Sequence, residues 1–398
     1  MRRIAVASAL LLAGIVAYLI INPGVLNGIW EKDGYDVIVL GAEPEGIAAA
    51  VSAARNGARV LLAEKRDGPG GLMTYGMLNS IDMNIDDEGS LVTRGIFEEF
   101  YHRIGKRDSF DVNKAKQVFT GMLDREWRIT QLYNARFDGP VTDDSGKLLT
   151  GVKINGRVYK SKTFIDATQD AELAFASGVP CFTGGADINE PDRRMAVTLV
   201  FRVRGVNWGV VKHYLRNDGD PSTDANNYSA WGFLNITRMY KPLLEGMRLR
   251  GLNIGRQDDG TVLINALQIF GVDGLDEKSK KDAIDRGIVE IANVCEFLKN
   301  NVPGFENSSF SGAAEELYIR ETRHIKGEYV LKVADIIENR DCPDKIALGS
   351  YPIDIQATGP DNWGFVIGDP DVYSIPFRCL VPLEVDNLLV VGRAASYT

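Results

Sequence analysis

Three hundred and ninety-eight residues, 45% hydrophobic and 25% charged, make a folded chain with two domains or one core carrying an inserted lobe, and exclude a disordered or low-complexity protein. The 41 glycines follow no three-residue period, which excludes a collagen-like chain. The net charge is −9 with no long basic stripe, so nucleic acid is not an expected partner.

Residues Ile4 to Ile21 carry no charge. As a helix they would span about 27 Å, close to the ~30 Å hydrocarbon core of a bilayer. Asn22-Pro23-Gly24 breaks the run, and Arg2 and Arg3 precede it, which the positive-inside tendency keeps cytoplasmic. Small residues are poorly placed for signal cleavage. Residues 1–33 therefore read as a signal-anchor, a transmembrane helix tethering the globular part to the membrane on the extracytoplasmic side. Secretion after cleavage is the alternative.

Tyr35–Leu40 is a short β-rich run. It leads into Gly41-Ala42-Glu43-Pro44-Glu45-Gly46 and an alanine-rich helix ending near Gly57. Arg59–Ala63 is a second strand, closed by Glu64. Strand, glycine turn, helix, strand and acid form the βαβ unit of dinucleotide-binding proteins. Gly41 permits the tight turn, and Gly46 lets the helix approach the strand. The helix N-terminus offers N–H groups to a pyrophosphate. Glu64, twenty-three residues after Gly41, is placed to accept hydrogen bonds from ribose hydroxyls. The middle glycine of G-x-G-x-x-G is Glu43 here, a carboxylate that must turn away from a bound phosphate.

Further along, a helix is expected from Lys114 to Asn134, followed by β segments at Leu132–Phe137, Leu148–Ile154 and Gly156–Ser161. From about Val179 the pattern changes to a second lobe. Met195–Val206 alternates as a half-buried strand, residues 216–231 are turn-rich, and Ser279–Asn300 reads as a helix with Ile284, Ile288, Ile291, Cys295 and Leu298 on one stripe. The four cysteines lie far apart with no C-x-x-C pair. No zinc or iron–sulfur site is expected, and the sequence cannot pair them into disulfides.

Several segments carry a resemblance. Gly70-Gly71-Leu72-Met73-Thr74 resembles the loop that approaches the flavin in FAD-dependent oxidoreductases of the glutathione-reductase-like superfamily. The three β segments resemble its β-meander, and Ile165-Asp166-Ala167-Thr168-Gln169-Asp170 resembles its returning "IDATGD" turn, with Gln169 in the glycine position. Arg320–Gln356 and Ile375–Thr398 resemble two blocks of the bacterial FAD-dependent oxidoreductase family. The resemblance runs from Tyr35 to the end. It implies FAD bound by Gly41, Pro44, Glu45, Gly46, Glu64, Lys65, Gly71, Leu72, Thr74, Ala167, Thr168, Asp170, Gly392 and Arg393. Family members continue past Gly392-Arg393 into a helix facing the flavin, so this chain reads as a fragment.

The expected fold is α/β: a Rossmann-like FAD-binding domain with a parallel sheet and β-meander, split between residues 34–178 and 340–398, and an inserted mixed α+β substrate lobe at 179–339. The expected activity is flavin-mediated hydride or electron transfer between a small-molecule substrate and an electron donor or acceptor that the sequence does not name. Arg320, Arg323 and His324 cluster as candidates for substrate binding and catalysis, since arginines clamp anions and histidine titrates near neutrality. Asp354 is a weaker candidate, and Arg320-Glu321 also reads as a structural ion pair. No nucleophile elbow, H-E-x-x-H or Walker loop is present, and no metal is expected. A flavin-binding scaffold without turnover and an NAD-binding oxidoreductase are the rival readings.

Overall fold

The computed structural model describes residues 34–185, 190 and 193–397. The anchor expected over residues 4–21 lies outside them. Among the described residues no helix is long and apolar enough to cross a membrane, so the expectation of a membrane tether is corrected here and not carried further.

The first sheet is built from β1 (Tyr35–Leu40), β2 (Val60–Ala63), β3 (Ile129–Leu132), β4 (Phe137–Thr142), β5 (Leu149–Ile154) and β6 (Arg157–Asp166), in the order β3-β2-β1-β6-β5-β4. β1, β2 and β3 run parallel. Helix α1 (Pro44–Arg55) makes the crossover from β1 to β2. The strand β6 serves two purposes: Arg157–Lys160 pairs antiparallel with β5, and Ser161–Asp166 pairs parallel with β1. Strand Leu388–Val390 returns from the far end of the chain to lie parallel to Phe164–Asp166.

Both faces of this sheet are covered, so β1 and β2 are nearly continuous apolar runs. Ile38, Leu40 and Leu61 face one cluster with Phe164 and Leu388. Val39, Val60 and Leu62 face the other, against Ile47, Ala50, Val51 and Ala54 of α1 and Phe119 and Met122 beyond. This alternation is the period of two expected of a strand.

The helix expected from Lys114 to Asn134 is shorter. It runs Val112–Asp124, capped by Asp111, which accepts from Lys114 N at 2.9 Å. The remainder becomes β3, because Ile129–Leu132 aligns with Val60–Ala63 and extends the parallel sheet. The first meander strand accordingly starts at Phe137.

The second sheet has seven strands, all antiparallel where paired, centred on Met247–Arg256 and Val262–Ile269. Phe201–Arg204 and Ser309–Ala313 extend one side, and Asp224–Ala225 and Ser229–Gly232 the other. The strand expected over Met195–Val206 is interrupted, with pairing only at Val197–Thr198 and Phe201–Arg204. A long helix, Glu277–Asn301, packs on this sheet through Ala283, Gly287, Ile291, Val294 and Leu298. Its stripe is displaced from the expected one: Ile288 is 43% exposed, while Gly287 sits so close that a Cβ would lie 2.8 Å from Leu199 Cδ2. Its cap is Asp276, which accepts from Lys278 N, and Ser279 Oγ accepts from Asp273 N. The four cysteines are free thiols.

Candidate active site

Where β1 ends, the chain turns at Gly41 (φ 97°) and enters α1, with Pro44 at its first helical positions. The turn is pressed against the end of β6. A Cβ on Gly41 would lie 2.4 Å from Ala167 O, and one on Gly46 would lie 2.1 Å from Gly41 O and 2.8 Å from Ala167 Cβ. Neither position has room for a side chain, which is the close approach a dinucleotide turn requires. Ala167 N donates to Leu40 O at 2.7 Å and fixes the register.

A cleft of about 610 Å³ opens over this turn. Gly41, Glu43, Glu64, Lys65, Arg66 and Leu72 line one side, Thr168, Asp170 and Arg393 another, and Lys280, Lys281 and Ile284 of the long helix close it from the second sheet's side. Glu64, buried at the end of β2, accepts from Ala42 N at 2.6 Å and from Arg66 N at 2.8 Å. A carboxylate has about four acceptor positions, so capacity for a ribose hydroxyl remains.

Glu43 does turn away from the helix axis. Its Oε2 accepts from Leu72 N at 3.0 Å, and its Oε1 pairs with Arg66 Nη2 at 2.8 Å. The side chain lies against Gly71, whose position any Cβ would share with it. Arg66 also holds Glu316 through two bonds, at 2.6 and 2.7 Å, and Glu64 at 3.1 Å. Three carboxylates thus converge on one guanidinium. Burial works against the charge on Arg66, but the three acids hold its pKa above the ordinary value. Burial raises Glu43, with the Arg66 charge opposing it. Half-buried Glu45, in the first turn of α1, is pushed up to about 7 by burial and then by Glu43; Gln169 Nε2 donates to it at 2.9 Å.

The returning turn is held by its own side chains. Asp166 Oδ1 accepts from Thr168 N and Oγ1 at 3.0 and 2.6 Å, and burial raises its pKa to about 6. The left-handed position of this turn is Ala171, with φ 51°, and not Gln169. Arg393 donates to Gln169 O at 2.8 Å and pairs with Asp170 Oδ1 at 2.8 Å. Burial raises Asp170, but Arg393 and the Thr322 hydroxyl outweigh it and hold the carboxyl low. Gly392 lies over Glu45 Oε1, so the closing turn seals the first turn of α1. Thr74 is buried, donating to Pro69 O, and Lys65 reaches Glu172 at 3.9 Å.

The three catalytic candidates part company. His324 is buried between the rings of Phe182 and Tyr397. Arg323 lies over the Phe175 ring and donates to Asp170 O at 3.2 Å. Arg320 donates to Ala196 O and to Thr198 Oγ1 at 3.1 Å, and stacks on Tyr318. It also stands within electrostatic reach of Asp354 and Arg250. Asp82 and Tyr351 belong to the same group: Asp354 raises Asp82 after burial, and Asp82 contributes after burial to lifting Tyr351 to about 12. Sequence reasoning missed Arg66, Glu316, Asp82 and Arg250. Arg66 stands two residues after the ribose acid, but none of the four carries a local signal for its partners, because tertiary packing alone gathers them.

The sequence matches the family model described as "FAD dependent oxidoreductase" over residues 36–398. No curated protein matches it. Among solved structures, it is similar to a geranylgeranyl bacteriochlorophyll reductase-like protein from Thermoplasma acidophilum, at 14% identity and TM-score 0.42, covering 91% of this chain and 71% of that one. It is also similar to the myxobacterial chondrochloren halogenase CndH, at 12% identity and TM-score 0.43, covering 92% and 69%. The flavin-dependent brominase Bmp2 gives 11% identity and TM-score 0.45, covering 91% and 74%. The family match over nearly the whole chain identifies the molecule: the chain belongs to the FAD dependent oxidoreductase family and is an FAD-dependent oxidoreductase.

Proposed function

We propose that FAD is held in the cleft between the two sheets, within a binding domain made of residues 34–178 and 340–398, with 179–339 as the substrate lobe. Gly41 to Gly46 and the first turn of α1 hold the pyrophosphate, with Pro44 setting the helix start and Glu45 sealed beneath Gly392. Glu64 takes the ribose hydroxyls, and Lys65 offers a positive rim. Gly71, Leu72 and Thr74 form the loop toward the flavin end. Ala167, Thr168, Asp170 and Arg393 shape the opposite wall. Bound FAD supplies two-electron chemistry; the chain's own groups bind it, orient it and keep water out.

One observation carries the reading. Gly41 and Gly46 have no space for a Cβ against β6, at the end of a parallel sheet and at the N-terminus of a twelve-residue helix. Of the three catalytic candidates, Arg320 is retained for substrate contact, because it alone joins a charged group beside the cleft. Arg323 and His324 serve packing and the Asp170 turn. The test is the visible spectrum of the purified chain after incubation with FAD and gel filtration. Twin flavin bands that bleach with dithionite, at one FAD per chain, are expected. A folded, colourless protein overturns the reading.

A further inference from the structure

The FAD cleft is short of positive charge. Acids outnumber bases along its lining, and the pyrophosphate of FAD brings further negative charge into it. The largely buried guanidinium groups of the lining are already committed. Arg66 is held by Glu43, Glu64 and Glu316, and Arg393 by Asp170 and the carbonyls of Gln169 and Ile319. Lys65, Arg136 and Lys281 have side chains more than half exposed, where water screens their charge. The N–H groups at the start of α1 carry only partial charge.

Lys280 differs from all of these. It lines the cleft with a side chain 19% exposed, one turn into the long helix Glu277–Asn301. Its ion-pair partner is Glu277, at 2.6 Å, but the Glu277 side chain is 87% exposed, and a pair with so exposed an acid contributes little. The charge of Lys280 is also felt inside the cleft. Burial raises Glu316, but Arg66 outweighs it, and Lys65 and Lys280 add to the lowering. A cation is otherwise poorly placed here, because the first turns of a helix hold the positive end of its dipole, and Lys278, Lys280 and Lys281 all sit in them. Asp276 and Glu277 offset part of that cost, and an anion in the cleft offsets it directly.

We propose that Lys280 is a cofactor-binding residue supplied by the second sheet's lobe. It exchanges Glu277 for the pyrophosphate of FAD, so that bound cofactor clamps the long helix, and the sheet beneath it, over the turn at Gly41. Glu277 then acts as a competitor for Lys280. The proposal rests on the FAD reading of this cleft and extends cofactor binding from one lobe to both.

The experiment is a fluorescence titration of FAD into the apo form of the full chain and of four variants. Lys280→Met should weaken FAD about tenfold, and Lys280→Arg should restore most of the affinity. Lys278→Met removes the same charge from the same turn but outside the cleft lining, and should stay within about twofold of the wild type. Glu277→Gln frees Lys280 and should tighten FAD by about two- to threefold. If the ion pair only stabilised the helix, Lys280→Met and Glu277→Gln would move FAD affinity in the same direction. Glu277→Gln, on an exposed side chain, decides between the two roles if the Met variant does not fold. Wild-type affinity in Lys280→Met, or weaker binding in Glu277→Gln, overturns the proposal and leaves the FAD reading standing. No FAD binding by the wild type overturns both.

Discussion

In the FAD cleft, Glu43, Glu64 and Glu316 converge on the single guanidinium of Arg66, each at contact distance. On the far side of Tyr318, Arg250, Arg320, Asp82 and Asp354 influence one another's charge and form no ion pair with one another. The first arrangement is electrostatically saturated and fixed by backbone geometry around two glycines. In the second, Gln356 stands between Arg250 and Asp354, accepting from one and donating to the other. A saturated network holds a wall in place.

The sharpest way to break this contrast is Arg66→Met. It strands three acids, two of them almost wholly buried, so a loss of about 3–5 kcal/mol in unfolding free energy is expected from denaturant melts. Arg320→Met should have a far smaller effect on stability, because it strands no ion-paired acid. Equal losses would erase the distinction between the two sites. Gly46→Ala comes next: its methyl would sit 2.1 Å from Gly41 O, and about 1–3 kcal/mol of destabilisation is expected, together with lost FAD absorbance.

These two effects also mark what the sequence made legible. The β1–turn–α1–β2 unit was readable because apolar period, glycine position and the acid at Glu64 all lie within thirty residues. So was the return to the sheet through Asp166. The helix overrun past Asp124 arose because Ile129–Leu132 has the same apolar content whether helical or extended, and only pairing with β2 decides it. Residues 82, 250, 320 and 354 could not be joined from sequence, since no local rule links positions so far apart. Glu316 stayed hidden for the same reason: its partner Arg66 is 250 residues away.

A subtler difference is in pH response. Glu45 is raised to about 7, so its neutral form is favoured in the fold. Its contribution to stability is fully present below the unfolded value near 4.5 and is lost as pH rises through 7. The stability difference between wild type and Glu45→Gln should therefore fall across that window and level off above it. A flat difference from pH 4.5 to 7.5 would show that the closing turn does not bury this acid.

The most direct test of the account is a fluorescence titration of FAD into the apo forms of the wild type and Glu64→Ala. Loss of the buried carboxylate that stands at the end of β2 should weaken FAD about tenfold while Arg250→Met leaves it unchanged. Wild-type FAD affinity in Glu64→Ala, with the fold intact, would contradict the placement of the cofactor in this cleft.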